Sequence, residues 1–214
     1  TASSLTSTGT VATGTWSSDI TMGSGDNFDF SGSGTIRLDG YSPVSGSGQF
    51  NVALGANAIE SLSDGSYNVG VGGAAGESLT TEDGNVNIGF TAGRYVARTA
   101  GGEGDDNTFI GYQSGKGVEG STTASDNTAV GSCSLEAITT GANNAFIGRN
   151  AGVTLTEGTN NVGAGEDSGD DITTGSGNTF IGFESGKGVQ TEDYNVTIGH
   201  KSGDSTGGDT LGSS

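Results

Sequence analysis

The residue types that most often carry out chemistry are scarce in this chain. Among its 214 residues it has one histidine, His200, and one cysteine, Cys133. His200 stands alone after Gly199, so we expect a solvated turn residue rather than a member of a Ser–His–Asp triad or a histidine metal site. A single cysteine forms neither an internal disulfide framework nor a thiolate metal cage, and we expect Cys133 to be a small packing residue.

Acidic residues are abundant, but their pattern singles out no active site. The pairs Glu166-Asp167 and Asp170-Asp171 could supply the acid and base of a glycosidase. Acidic residues occur in every predicted turn, however, which favours a solvated surface. Residues 101–106 (Gly-Gly-Glu-Gly-Asp-Asp) match the start of a calcium-binding nonapeptide, a motif that works by repetition and occurs once here. We therefore predict no metal site, no cofactor and no enzymatic activity.

Composition and charge limit the class of protein. The chain has 43 glycines, one proline and 30% hydrophobic residues, which predicts no thick single core. Seven basic and 25 acidic residues give a net charge of −18, and such a surface repels nucleic acid and anionic membranes. No apolar run approaches the roughly 20 residues of a membrane-spanning helix. We expect no nucleic-acid partner and no membrane insertion. Because the chain begins at Thr1, we also expect a fragment or a processed form.

An asparagine followed four residues later by a glycine recurs nine times. The asparagines are Asn51, Asn68, Asn85, Asn107, Asn127, Asn144, Asn161, Asn178 and Asn195. Six of the eight intervals between them are 17 residues long, and the other two are 22 and 20. A fixed period of this size predicts a solenoid, in which one short unit stacks on copies of itself. We predict an all-β fold, a parallel β-solenoid of about nine 17-residue coils.

The pattern inside each repeat, counted from the asparagine as position 1, predicts how a coil is built. Positions 2 and 4 are mostly β-branched or aliphatic, as in Val52 and Leu54, and predict a five-residue strand with these side chains inside the coil. Position 8 is always Ala or Ser, which indicates a narrow interior. Position 12 is apolar until the last repeat and predicts a second short edge, with a helical turn as the alternative. Glycine at position 9 in seven repeats suits a bend with positive φ. The asparagines should stack as a structural ladder.

Position 3 then faces away from the predicted interior. It holds Phe109, Phe146 and Phe180, which alternate with smaller residues from the third repeat onward. A row of exposed phenylalanines on an acidic soluble protein would aggregate. We therefore predict that the three rings form the contact between chains of a homotrimer. The alternative is that they lie flat over their own coil.

Three segments follow from the extent of the repeat. Residues 1–48 are rich in Ser, Thr and Gly and form a β-rich leader, stalk or cap, with thin strands such as residues 35–38. Residues 49–205 are the solenoid, and residues 206–214 are a tail.

The two long intervals hold insertions at residues 94–106 and 116–126, which are the candidates for a ligand loop. The first carries Arg94, Tyr95 and Arg98. Decorative loops without a partner are the alternative.

Two segments of the repeat resemble a known family. Residues 51–58 (Asn-Val-Ala-Leu-Gly-Ala-Asn-Ala) and 127–131 (Asn-Thr-Ala-Val-Gly) look like the head repeats of trimeric autotransporter adhesins, and like similar repeats in bacteriophage tail fibres. The resemblance covers residues 51–205 and implies a left-handed parallel β-roll assembled as a trimer. This chain departs from the head pattern in its longer period, its glycine at position 9 and its two insertions. The leader also looks like stalk segments of phage fibres.

These observations favour a structural and adhesive segment of a trimeric phage tail fibre involved in host-surface attachment. Its expected partners are copies of itself, other virion tail proteins and a host cell-surface glycan or protein. The expected location is the virion tail, or alternatively the bacterial cell surface. The alternative function is the head of a bacterial trimeric adhesin. An ice-binding solenoid is less favoured because it needs an outward grid of threonines, whereas Thr108, Thr128 and Thr179 are predicted to face inward. An enzymatic tailspike is a further class, and we expect no depolymerase activity.

Overall fold

The computed structural model describes residues 50–96, 104–120 and 122–203, together with the backbone of Thr35–Arg37. The chain divides into two units, residues 1–31 and 32–214, and all described residues belong to the second. Most of the predicted leader, the tail and Arg98 lie outside the described residues. The predicted strand near residues 35–38 is present as Thr35–Arg37.

In the described part of the chain, ten short strands form a single parallel sheet, in which each strand pairs with the next one along the chain. They are β1 (Thr35–Arg37), β2 (Asn51–Leu54), β3 (Val69–Val71), β4 (Val86–Ile88), β5 (Thr108–Ile110), β6 (Thr128–Val130), β7 (Ala145–Ile147), β8 (Val162–Ala164), β9 (Thr179–Ile181) and β10 (Val196–Ile198). None of the described residues is helical. The predicted fold, an all-β parallel β-solenoid, is confirmed.

Equivalent positions of successive repeats are directly paired. Leu54 pairs with Val71, and Val71 pairs with Ile88. The register survives both long intervals, since Ile88 pairs with Ile110 and Ile110 with Val130. The extra residues are therefore accommodated outside the strands and do not shift the pairing.

Glycine at position 5 ends each strand for two reasons. Its φ angle lies between 124° and 146° in all nine repeats, a range that side chains rarely adopt. In addition, a Cβ built at Gly148 would lie 2.2 Å from the carbonyl oxygen of Gly165 in the next coil. The strands are thus three or four residues long, not the five predicted.

The second edge predicted around positions 8–12 is wrong. Positions 7 and 9 have positive φ in every repeat, including non-glycine residues such as Asn57 (59°), Ile59 (42°) and Leu135 (51°). A strand requires negative φ at every residue, so the chain instead forms consecutive turns there. Bonds such as Leu62 N–H to Ile59 C=O (3.2 Å) close these turns, and others such as Gly76 N–H to Ala92 C=O (2.9 Å) join neighbouring coils.

The asparagine ladder is visible bond by bond. Oδ1 of each asparagine accepts a hydrogen bond from the backbone N–H of the next, as from Asn68 to Asn51 (2.8 Å) and from Asn161 to Asn144 (2.9 Å). In seven of the nine asparagines, the Nδ2 group also donates to a carbonyl at the end of its own coil, as from Asn144 to Gly158 (2.9 Å). One amide therefore both closes a coil and fastens it to its neighbour. The first eight asparagines are buried.

The direction predicted for the strand side chains is inverted. Position 3 is buried in all nine repeats, and Phe109, Phe146 and Phe180 are 0% exposed within a single chain. Positions 2 and 4 are exposed or half-buried. Because the ladder asparagine at position 1 points inward, the alternation of a strand places position 3 inside and positions 2 and 4 outside. The prediction that these phenylalanines contact other chains is therefore wrong, because each ring belongs to its own chain's core.

Positions 3 and 9 share the narrow interior by complementary size. Where position 3 holds Phe109, position 9 is Gly115, and a Cβ there would lie 2.3 Å from the ring. Where position 3 is Ala53 or Ala129, position 9 is Ile59 or Leu135. Position 8 is buried in the first eight repeats, as its small residues predicted. Position 12 is buried as predicted from Leu62 to Val189, apart from Val118.

Val118 is the exception in the position 12 column, with 45% of its surface exposed. It lies within the second insertion, residues 116–126. Thr122 (1% exposed) and Ala124 (0% exposed) are buried there instead, and Oγ1 of Thr122 accepts from the Val118 N–H at 2.9 Å. The insertion thus turns Val118 outward and supplies its own buried residues.

Candidate functional site

One face of the sheet points outward, and we call this face the outer strip. It consists of two columns, positions 2 and 4 of the nine repeats. Its members are Val52, Leu54, Val69, Val71, Val86, Ile88, Thr108, Ile110, Thr128, Val130, Ala145, Ile147, Val162, Ala164, Thr179, Ile181, Val196 and Ile198. Three are threonines, the rest are aliphatic, and none is charged. Nine strands spaced by about 4.8 Å make a strip on the order of 43 Å long.

Large side chains in this strip are open to solvent. Leu54 is 42% exposed, Ile147 is 55% exposed and Val162 is 43% exposed. Isolated apolar residues on a surface need no explanation, but a continuous uncharged strip marks an interaction site or an aggregation hazard. The sequence pattern predicts these residues inside the coil, and the structure places them outside.

The threonines of the outer strip were predicted to face inward, which was one argument against ice binding, and this prediction is wrong. Thr128 is exposed, and Thr108 and Thr179 are half-buried at the surface, so none of them faces inward as predicted. They occupy only three positions in the strip and lie between aliphatic residues. The face is therefore mainly apolar and not a regular grid of threonines.

Two further columns border the outer strip. The leading flank is the residue before each asparagine: Phe50, Tyr67, Gly84, Asp106, Asp126, Asn143, Asn160, Gly177 and Tyr194. The trailing flank is the residue after each position 5 glycine: Ala56, Gly73, Phe90, Tyr112, Ser132, Arg149, Glu166, Phe183 and His200. Every residue of both flanks is exposed or half-buried.

Aromatic rings on the flanks stack between successive coils. Phe50 stacks on Tyr67 with ring centroids 5.4 Å apart, and Phe90 stacks on Tyr112 at 5.9 Å. Tyr67 remains 63% exposed and Phe90 56% exposed. These rings extend the apolar surface beyond the two aliphatic columns.

The residues predicted for a ligand loop are only partly free to bind. Arg94 donates from Nε to Glu77 in the preceding coil at 2.6 Å, and its guanidinium lies 4.8 Å from the ring centre of Tyr95. The bond to Glu77 raises the pKa of Arg94. The Arg94 side chain is therefore already engaged with its neighbours. Arg98 lies outside the described residues.

Other cations also tie coils together. Lys116 pairs with Glu136 at 2.9 Å, and Lys201 pairs with Glu184 at 3.2 Å. Arg149 pairs with Glu166 and lies 3.6 Å from Asp167. Exposed pairs of this kind contribute little individually, about 0–1 kcal/mol. Glu166 and Asp167 thus both lie beside the guanidinium of Arg149.

The single histidine and cysteine are surface neighbours of other side chains. His200 is exposed, and its ring stacks on Phe183 at 5.2 Å. Cys133 is a free thiol of intermediate burial, with Sγ 3.9 Å from Oε1 of Gln113. Neither lies beside a group that would complete a nucleophilic pair in the contacts the structure gives for them.

Acidic residues at one turn form a short ladder of their own. Oδ1 of Asp83 accepts from Ser66 N–H at 2.6 Å, and Oδ1 of Asp105 accepts from Asp83 N–H at 2.7 Å. Burial raises the pKa of Asp105, and the neighbouring carboxylates add to the effect. Across the described ranges, no group of three or more His, Cys, Asp or Glu residues could hold a metal ion. Residues 101–103 of the calcium-like motif lie outside those ranges.

No protein-family model matches the chain, and comparisons with curated proteins and with solved structures found no match either. Any function assigned to the chain therefore rests on its own residues. In the part of the chain that the structure describes, no helix has the length and apolar character needed to cross a membrane.

Proposed function

We propose that this chain is a structural and adhesive segment of a trimeric bacteriophage tail fibre that takes part in host-surface attachment. The observation that carries the proposal is the outer strip, an uncharged apolar face on a chain with a net charge of −18. The resemblance of the repeats to adhesin heads and phage fibres supplies the class.

The outer strip supports self-assembly because a strip of this length is costly to leave in water. Burying a valine or isoleucine side chain contributes about 1.5–3 kcal/mol relative to leaving it exposed. Homo-oligomers of soluble proteins are usually closed and cyclic, so identical strips facing a common axis bury one another. Three copies place the strips around a central axis, and the charged turns stay at the outside. The strip replaces the phenylalanines as the proposed contact.

Rigidity and repetition support the fibre assignment. The asparagine ladder fastens each coil to the next, and three identical copies would present every outward-facing turn three times. Weak contacts to a host glycan or protein then add through multivalency. Other virion tail proteins would hold the ends. A bacterial surface adhesin head is the alternative with the same mechanism.

Two measurements test the proposal. Native mass spectrometry and sedimentation of the purified chain should give three times the chain mass of 21.0 kDa. Fluorescently labelled chain should then bind intact cells of some strain in a panel of bacteria, and its monomeric variant Ile147→Lys should bind more weakly. A monomeric wild-type chain removes the fibre assignment. A trimer that binds no strain in the panel leaves a structural segment without the adhesive role.

Ice binding is a second candidate that the exposure of Thr108, Thr128 and Thr179 brings back. Thermal hysteresis of the wild-type chain tests it directly. We expect none, since aliphatic side chains fill most of the strip. Hysteresis that disappears in Thr128→Lys would assign the strip to ice instead of to a second copy.

A further inference from the structure

We infer that copies of this chain pack parallel and in register around a common axis, with the leading flank of one copy against the trailing flank of the next at the same coil. The inference rests on the proposed trimer and names the contact that would hold its copies together. The partner that covers each flank is a second copy of this chain.

The two flanks of a coil are complementary in size or polarity. The nine same-coil pairs are Phe50 with Ala56, Tyr67 with Gly73, Gly84 with Phe90, Asp106 with Tyr112, Asp126 with Ser132, Asn143 with Arg149, Asn160 with Glu166, Gly177 with Phe183, and Tyr194 with His200. In the first four coils and the eighth, an aromatic ring on one flank matches a smaller residue on the other. The fifth to seventh coils pair polar residues, and only the ninth has rings on both flanks.

Contact within a chain does not explain this pairing. The flanks of one coil lie on opposite sides of an extended strand, whose residues from position 1 to position 5 span about 13 Å. Rings do pack over glycines of the same column in the adjacent coil: a Cβ at Gly73 would lie 3.1 Å from Phe90, and one at Gly177 would lie 2.7 Å from Tyr194. That packing explains why sizes match between successive coils within one flank. It does not explain why they match between the two flanks of the same coil.

A rotation axis parallel to the solenoid produces the required contact. Such an axis keeps each coil at its own height and brings the leading edge of one strip to the trailing edge of the next. A twofold axis perpendicular to the solenoid would instead make the two copies antiparallel. The leading flank of one copy would then contact the leading flank of the other, with the coils in reverse order. The central coil would then set Asp126 against its own copy, and like charges in contact are unfavourable.

The available surface is large enough for such a contact. The strip and flanks cover six residue steps of about 3.3 Å across and about 43 Å along the sheet, on the order of 800 Å² for each copy. Specific interfaces bury about 800 Å² per partner. The uncharged columns would form the centre of the interface, and the flanks would form its rim.

Disulfide trapping of the full 214-residue chain tests the flank pairing. In a Cys133→Ser background, the same-coil variant carries Asn160→Cys and Glu166→Cys. The control variant carries Asn160→Cys and Ala56→Cys, which lie six coils, about 29 Å, apart. A disulfide needs Cα atoms within about 7 Å, so neither pair can close within one chain. Both variants are oxidised with diamide and separated on a non-reducing denaturing gel, after native mass measurement.

We expect a covalent trimer from the same-coil variant and at least tenfold less from the control. A native trimer without same-coil cross-links overturns the flank pairing and leaves the proposed trimer standing. Equal cross-linking of both variants overturns the register. A monomer by native mass removes the proposed function together with this inference.

Discussion

The ring of Phe146 fills the space beside the Cα atom of Gly163 in the next coil. A Cβ built on Gly163 would lie 2.3 Å from Cδ1 of that ring, closer than real Cβ atoms approach. Gly163 does not have a positive φ angle, so this glycine is required by packing alone.

Gly163→Ala should therefore destabilise the solenoid by about 1–3 kcal/mol, the usual cost of overpacking a core. The measurement is the urea midpoint followed by circular dichroism. Gly73→Ala is the matched control, because its added Cβ meets only the exposed Phe90 ring at 3.1 Å. Equal midpoints for the two variants would show that the interior adapts to the extra methyl group.

Asn144→Ala should lower stability by at least about 2 kcal/mol. The change leaves the N–H of Asn161 and the carbonyl of Gly158 buried without their partner, and an orphaned buried group costs about 1–3 kcal/mol. Thr174→Ala is the control, because Thr174 is exposed and does not have a positive φ angle. Denaturant midpoints compare the two, and an Asn144→Ala variant as stable as the control would contradict the ladder's role.

Leu135→Gly should be no less stable than Leu135→Ala, which reverses the usual order. Both remove a fully buried side chain, at about 2–5 kcal/mol. At a φ of 51°, however, alanine keeps the left-handed strain that glycine lacks, about 1 kcal/mol. Thermal melts of both variants provide the comparison. Leu155, also buried but without positive φ, is the control, and there the alanine variant should be the more stable.

Asp170→Asn should stabilise the chain at neutral pH and change little in acid. Burial, reinforced by Asp171, raises the pKa of Asp170, so the folded state holds its proton more tightly than the unfolded state. Stability from this group is therefore full below the unfolded pKa and falls as pH rises through the folded pKa. Urea midpoints at pH 7 and near pH 3 should show the variant's advantage only at pH 7. Thr174→Ser, a neutral change at an exposed position, is the control. An equal gain in stability at both pH values would show that ionisation of Asp170 is not its cause.

Ile147→Lys should dissociate the proposed trimer without unfolding the chain. Ile147 is 55% exposed within one chain, so lysine fits the single copy, but three ammonium groups near an axis would be buried and mutually repulsive. Sedimentation at equal concentration measures the mass. Thr174→Lys, in an exposed turn outside the strip, should leave the mass unchanged. If Ile147→Lys also stays trimeric, the outer strip is not the contact.

The spacing of the asparagines was enough to predict the stacking, the parallel register and the ladder. A period of 17 residues aligns chemically identical positions, so a side chain such as Asn144 bonds to its counterparts above and below as well as to its own coil. The small residues at position 8 and the glycines at position 9 likewise indicated a narrow interior and positive φ angles.

The sequence did not decide which face of the strand is inside, because both faces are apolar. Val162 and Ile147 are aliphatic residues typical of a core, whereas Phe146 was predicted as a contact between chains. Only the closed coil resolves the ambiguity: the inward ladder asparagine fixes the alternation, and a ring at position 3 fits because glycine faces it at position 9. That matching of volumes across a coil depends on three-dimensional closure, and it leaves the aliphatic columns outside.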